Sequence, residues 1–180
     1  MTPRKRPLTP LDGPALERLA LRYVERFATT RAKLAAYLVR KIRERGWADD
    51  RPADPEGVAE RMAALGYVDD RLFAESKARA MGRRGLGARR VDEALRHAGV
   101  GSENAAPAAE AARDGEAATA LAFARRKRIG PFALVEADRP LREKQLAAML
   151  RAGHPLDLAR RITRMAPGDD IEGLDVSGWD

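Results

Sequence analysis

The sequence lacks several residue types and patterns, and each absence excludes a class of protein. It has no cysteine, which excludes disulfides, thiolate metal sites and a cysteine nucleophile. Its two histidines are too few for a histidine-rich metal centre. No apolar run approaches the roughly 18 residues of a membrane span, and the basic start MTPRKRPLTP has no apolar signal-peptide stretch. We therefore expect a soluble, cytoplasmic protein that does not associate with membranes.

Aromatic residues are also scarce, at 5% of a chain that is 44% hydrophobic. The core must therefore be built from leucine, alanine and valine with only a few larger rings. A length of 180 residues fits one compact domain or an array of small repeats.

Charge is present in excess of one sign and is arranged in blocks. Lysine and arginine number 34 against 27 acidic residues, which gives a net charge of +7. Basic blocks attract phosphates or acidic protein surfaces, although solvated helix faces would show the same composition. The basic blocks 1–47, 71–98 and 121–165 alternate with the acidic blocks 48–70, 99–120 and 166–180.

Apolar spacing along the chain predicts about nine helices. Leu16, Leu19 and Tyr23, for example, recur on one face of a helix. Residues 131–135 are the only weak strand candidate, and Pro107 predicts either a kink or a later start for the helix around it.

Three glycines divide the helices into a repeat. Gly46, Gly99 and Gly153 each follow the second helix of a triplet, at spacings of 53 and 54 residues. A constant period of this kind is typical of modular arrays. The sequence therefore predicts an all-α fold of tandem three-helix repeats in an elongated, curved array. The predicted segments are a disordered basic, proline-rich tail (1–13), repeats at 14–66, 67–114 and 115–166, and an acidic tail (167–180).

Groups that could perform catalysis are few. The P-loop, GxSxG and GxGxxG patterns are missing, and Asp69 and Asp70 stand where a helix needs capping carboxylates. His97 and His154 flank helix-ending glycines and are interpreted as surface histidines. We therefore predict no catalytic, cofactor-binding or metal-binding residue and no enzymatic activity. The alternative is a nucleic-acid enzyme that uses Asp69 and Asp70 with a metal ion.

Binding has more support than catalysis. Two arginine-rich stretches lie around the Gly85-Leu86-Gly87 turn and before Gly130, and the guanidinium group matches phosphate and carboxylate geometry. The predicted contacts to a partner or to DNA are Arg83, Arg84, Arg89, Arg90, Arg125, Arg126, Lys127 and Arg128.

The central part of the chain resembles the RecX family, the bacterial modulators of the RecA recombinase. The resemblance lies in GYVDDRLFA at 66–74 and GLGARRVDEALRHAGV at 85–100, with further similarity at KIRERGW (41–47) and ARRKRIGPF (124–132). At 152–155 the chain reads AGHP, where the family usually has an aromatic residue after the glycine. The matched motif residues, interpreted as structural, are Gly66, Tyr67, Asp69, Asp70, Phe73, Ala74, Gly85, Gly87, Leu95 and Gly99. Among them, Tyr67 and Phe73 are expected in the core.

The resemblance implies a function as well as an all-α repeat fold. It implies a monomeric regulator, without a cofactor, that binds the RecA–DNA filament and binds single- and double-stranded DNA weakly. Such a regulator most often inhibits the ATPase, coprotease and strand-exchange activities of RecA in homologous recombination, DNA repair and the SOS response. The alternative is a stand-alone helical DNA-binding protein that acts without a recombinase.

Overall fold

A computed structural model describes residues 9–171 and Leu174, and in this part of the chain the fold is entirely helical. It contains nine α-helices and one short 3₁₀ helix, so the all-α prediction is confirmed. None of these helices is both long and apolar enough to cross a membrane. The helices are α1 (Gly13–Val24), α2 (Arg31–Arg45), α3 (Pro55–Ala64), α4 (Asp70–Arg83), α5 (Ala88–His97), α6 (Ser102–Asp114), α7 (Glu116–Lys127), α8 (Arg139–Ala152) and α9 (Leu156–Arg164).

Short polar side chains fix where many of these helices begin. Each accepts a hydrogen bond from a backbone N–H of the first turn, a group that has no partner within the helix. Asp69, for example, accepts from the N–H of Leu72 at 2.8 Å, as the capping prediction requires. The same prediction for Asp70 is wrong, because both oxygens of Asp70 accept from Arg31. The caps are Asp12, Thr30, Asp54, Asp69 and Asp138.

The three glycines of the predicted repeat occupy the ends of the second, fifth and eighth helices. Gly46, Gly99 and Gly153 all have positive φ, at 87°, 68° and 98°, a conformation that ends a helix at little cost only for glycine. Three of the nine helices in the described residues therefore end at a positive-φ glycine, whereas the division of the chain into three repeats stays a prediction.

Two compact units make up the chain. The first unit is Met1–Phe73 with Ala98–Gly101, and the second unit is Ala74–His97 with Ser102–Asp180. The core of the first unit packs α1, α2 and α3 around Leu16, Leu34, Leu38 and Val58. The short segment 98–101 belongs to it, and one of its contacts there is the hydrogen bond that the hydroxyl of Thr30 donates to the carbonyl of Ala98 at 2.5 Å.

A buried carboxylate joins α2 to the start of α4 within the first unit. Asp70, whose side chain is only 4% exposed, accepts from the backbone N–H of Arg31 at 3.0 Å and from its Nε at 3.2 Å. Glu60 accepts from the other end of the same guanidinium. The hydrogen bond with Glu60, followed in size by the one with Asp70, raises the pKa of Arg31 above its ordinary value. This cation therefore stays charged at any pH the protein meets.

The second unit has a core of small side chains. Ala120 and Ala124 of α7 are fully buried against Met149 of α8 and against Leu158 and Ile162 of α9. Alanines at these positions allow close approach between the helices, which explains how a chain so poor in aromatic residues still fills its interior.

The weak strand candidate and the later helix start after Pro107 are both wrong. Residues 131–135 do not form a strand; Gly130–Phe132 is a 3₁₀ helix, because the proline lacks the N–H that a strand would use. α6 does not start after Pro107 but runs through it from Ser102.

The predicted tails lie only partly within the described residues. Residues 1–8 of the first tail and residues 172, 173 and 175–180 of the second are outside them. Leu11 is fully buried and forms a parallel bridge with Trp47. Leu174 is buried in the core of the second unit. Both predicted tails therefore contain at least one residue that packs onto the fold.

One motif residue is placed differently from its prediction. Tyr67 is 53% exposed, so its expected role in the core is wrong. It follows Gly66 in the α3–α4 turn, where its N–H reaches back to the carbonyl of Met62 and its ring is carried outward. Phe73 is half-buried, with the ammonium of Lys33 5.0 Å from the centre of its ring.

The buried carboxylate of the first unit gives a stability prediction. Asp70→Ala removes the acceptor of a backbone N–H and of a guanidinium, so we expect it to lower the free energy of unfolding by about 1–3 kcal/mol. The exposed Asp50→Ala is the matched control and should change it by less than about 0.5 kcal/mol. Urea titration followed by circular dichroism measures both, and equal values would contradict the assigned role of Asp70.

Candidate functional site

All eight predicted contact residues are exposed on the second unit. We call this set the arginine surface: Arg83, Arg84, Arg89, Arg90, Arg125, Arg126, Lys127 and Arg128. They come from three places in the unit, namely the end of α4, the first turn of α5 and the end of α7. Exposure alone does not show whether these residues bind a partner or DNA, so that role remains a prediction.

The turn between α4 and α5 brings two of these places together. Gly85 has a φ of 63°, and a side chain built on it would lie 2.6 Å from Nη2 of Arg126 and 2.9 Å from the backbone nitrogen of Phe123. Only glycine allows this approach. The contact places the backbone of Gly85, the residue that follows Arg84, against the side chain of Arg126. Arg125 is directed elsewhere, over the ring of Phe132 at 4.9 Å.

A surface depression collects more cations from α5 and α8. The depression is lined by four arginines, one histidine and one glutamate. The glutamate, Glu93, pairs with Arg90 at 2.5 Å, and Arg89 donates to the carbonyl of Leu150 at 2.7 Å. Several positive charges around one carboxylate make the depression attractive to anions. Its lining residues are Arg89, Arg90, Glu93, Arg96, His97 and Arg151.

Sequence reasoning missed three of these residues. Arg96 and His97 follow Arg89 and Arg90 at a spacing of seven, which places them on the same face of α5. That spacing is a signal that the sequence offers. The addition of Arg151 could not be anticipated, since it depends on how the end of α8 packs against α5.

Beneath the turn lies a buried polar cluster, which we call the Glu116 cluster: Glu116, His154, Gly85 and the first residue of α5, Ala88. Glu116 is 7% exposed. One of its oxygens accepts from the N–H of Ala88 at 2.8 Å, and the other lies 2.7 Å from Nδ1 of His154. Nε2 of His154 lies 3.2 Å from the carbonyl oxygen of Gly85. Each polar atom of the cluster therefore meets a partner.

The prediction that His154 is a surface residue is wrong. The residue is 3% exposed and its side chain is fully enclosed. It lies in the turn that follows Gly153, and that turn packs directly on the α4–α5 turn, where Gly87 donates to the carbonyl of Ala152 at 3.0 Å. His97 is exposed, as predicted.

The carboxylates considered for metal chemistry do not converge. Asp69 is directed to Leu72, whereas both oxygens of Asp70 are directed to Arg31. Among residues 9–171 and Leu174, no three histidine, aspartate or glutamate side chains gather in an arrangement that could hold a metal ion. The described part of the chain therefore gives the alternative of a nucleic-acid enzyme that uses Asp69 and Asp70 with a metal ion no geometric support.

Comparison with known proteins identifies the family. No protein-family model matches the chain. A curated protein of Myxococcus xanthus named "Regulatory protein RecX" is 31% identical over 163 residues, which cover 84% of this chain and 86% of the relative. The chain belongs to the RecX family. A second protein of that name, from Agrobacterium fabrum, is 29% identical over 91% of this chain and 86% of its own length.

Solved structures agree with the fold. The crystal structure of RecX from Lactobacillus salivarius superposes with a TM-score of 0.57 over 82% of this chain and 91% of that one, at 18% identity. A second structure, of a regulatory protein RecX, gives 0.58 over 83% and 72%, at 19% identity. The all-α fold is thus the fold of the family, and the family's members are named as regulatory proteins rather than as enzymes.

The close contact at Gly87 gives a second prediction. A side chain there would lie 2.5 Å from the carbonyl oxygen of Gly153 and 2.7 Å from Oε1 of Glu116. We expect Gly87→Ala to destabilise the protein by about 3 kcal/mol, because backbone must move to admit the methyl group.

Gly101→Ala is the control for this experiment, since a side chain at Gly101 meets no atom within 4 Å. It should leave the free energy of unfolding within about 0.5 kcal/mol of the parent. Urea titrations of the three proteins make the comparison. A Gly87→Ala variant as stable as the parent would show that the two turns do not touch.

Proposed function

We propose that the protein binds the RecA–DNA filament and inhibits its ATPase, coprotease and strand-exchange activities, thereby regulating recombination, DNA repair and the SOS response. The observation that carries the proposal is the arginine surface of the second unit, in a chain that belongs to the RecX family. Cations from distant positions of the sequence lie around the α4–α5 turn, with few carboxylates near them.

The chemistry of this surface suits an anionic polymer. Guanidinium groups bind phosphate oxygens with two parallel hydrogen bonds, and a row of them gains affinity from the counterions released by a nucleic-acid backbone. The surface offers little for reading bases, since its aromatic neighbours Phe123 and Phe132 are only half-exposed and Phe132 is covered by Arg125. Recognition by charge and shape, without sequence preference, fits a regulator of a filament that forms on any sequence.

The first test is ATP hydrolysis by the cognate RecA on single-stranded DNA with this protein titrated in. We expect inhibition at ratios well below one molecule per RecA protomer, and weaker inhibition at higher salt because charge contacts are screened. If hydrolysis does not change at either salt concentration while binding to naked DNA persists, the protein is a stand-alone DNA-binding protein instead.

The second test locates the contact. Reversing the charges of Arg125, Arg126 and Lys127 to glutamate should raise the concentration needed for half-inhibition at least about tenfold at low salt. It should also reduce the slope of log affinity against log salt by up to about three, one for each lost phosphate contact.

The matched control reverses three exposed cations outside the arginine surface, Arg139, Lys144 and Arg160. It changes the net charge of the protein by the same amount, so any effect of overall charge appears in both variants. Thermal unfolding of each variant verifies that the fold is intact. Equal inhibition by the two variants would remove Arg125, Arg126 and Lys127 from the contact.

A further inference from the structure

We propose that His154 is held as an imidazolium cation in the Glu116 cluster and thereby positions the arginine surface, whose affinity for its anionic partner consequently falls as pH rises. The proposal adds proton-dependent regulation to the proposed function and rests on it for the identity of the partner. Its structural half, the charged histidine, stands on the geometry of the second unit alone.

The hydrogen-bond partners of His154 favour its charged form. Nδ1 of His154 faces a carboxylate oxygen of Glu116 at 2.7 Å, and Nε2 faces the carbonyl oxygen of Gly85 at 3.2 Å. Both partners are acceptors, and a neutral imidazole has only one N–H to donate. Only the imidazolium form donates to both. The second oxygen of Glu116 already accepts from the N–H of Ala88, which suits an ionised carboxylate.

Burial makes a neutral His154 costly, because one of its two acceptor partners would then lack a donor. The side chain of His154 is fully enclosed, so water cannot replace a lost partner, and a buried acceptor without a donor destabilises the fold. A buried cation is itself tolerated only when a counter-charge lies beside it. Glu116 supplies that counter-charge at hydrogen-bond distance.

Charged groups of α7 and α5 lie near the two turns that meet at the histidine. From α7 they are Glu116 and Arg126, the latter in contact with Gly85, and from α5 the group is Arg90, in contact with Gly153. The two guanidinium groups disfavour a further positive charge, so the pairing with Glu116 has to outweigh them. The ring of Phe123 also packs against the imidazole, with 5.6 Å between the two ring centres.

The same hydrogen bonds hold the backbone that carries the arginines. Gly85 directly follows Arg83 and Arg84, and Ala88 directly precedes Arg89 and Arg90. When His154 loses its proton, either Gly85 or Glu116 loses a donor, and the turn between these pairs of arginines is no longer fixed. The affinity of the surface falls because its cations must then be ordered on binding.

The first experiment reads the protonation state directly. The chain has two histidines, so His97→Gln leaves His154 as the only one. We expect ¹⁵N NMR of the imidazole in this variant to show a proton on both nitrogens at pH 7.5, above the ordinary titration range of histidine. A single unprotonated nitrogen at that pH would overturn the proposal.

The second experiment uses a variant that makes the proton unnecessary. In Glu116→Gln the amide oxygen still accepts from Ala88, while the amide NH₂ donates to Nδ1. A neutral His154 that donates from Nε2 to Gly85 then satisfies every partner. Combined with His97→Gln, this variant keeps the contacts and removes the need for the charge.

Stability against pH distinguishes the two proteins. If the folded state keeps a proton that the unfolded chain releases, the contribution of His154 is complete below about pH 6.5 and is lost as pH rises. We expect the unfolding constant of His97→Gln to increase up to about tenfold per pH unit above that point. The double variant should lack this dependence, and equal dependence in both proteins would contradict the proposal.

The third experiment tests the link to binding. At constant ionic strength, the affinity of the His97→Gln variant for the RecA filament on single-stranded DNA should fall several-fold between pH 6.5 and 8.5, and the double variant should lose less. Parallel losses would show that the cluster stabilises the fold without positioning the arginines. If neither protein binds the filament, the proposed function fails, while the NMR and unfolding experiments still decide the state of His154.

Discussion

One buried carboxylate joins three parts of the second unit. Glu116 caps the start of α5 from the first turn of α7 and at the same time grips the histidine of the α8–α9 turn. Both of its oxygens are used, so a shift of the Glu116 side chain would weaken its hydrogen bonds to Ala88 and to His154 together. The approach of the two glycine-bearing turns, and hence the direction of the arginines that flank them, depends on this single side chain.

The first unit also has a buried carboxylate that binds the start of a helix. Asp70 accepts the backbone N–H at the start of α2 from a distant part of the chain, as Glu116 does for α5. Each buried acid is neutralised by a cation, Arg31 in one case and His154 in the other. The difference lies in the cation: the guanidinium stays charged at any accessible pH, whereas the imidazole can lose its proton.

Sequence reasoning captured what depends on local spacing. The helices, their caps and the glycine-ended triplets follow from periodicity and short polar residues, and the motif around Gly66 and Gly85 led to the family. Tyr67 and His154 were misplaced because their burial depends on which turn meets which, and a single chain does not reveal that. The arginines were identified by composition, but the contact of Arg126 with the α4–α5 turn at Gly85 required the fold.

The arginine surface carries its cations at positions that the core does not use. Glycines, a carboxylate and a histidine support the backbone from below, and some of the cations add to that support, as Arg89 does by donating to the carbonyl of Leu150. Substitutions of these exposed side chains can therefore adjust binding strength at a smaller cost to the folded state than a change in the turn beneath them. Gly85 and Gly87 do not tolerate substitution in this way, because there is no space for even one added carbon at either position.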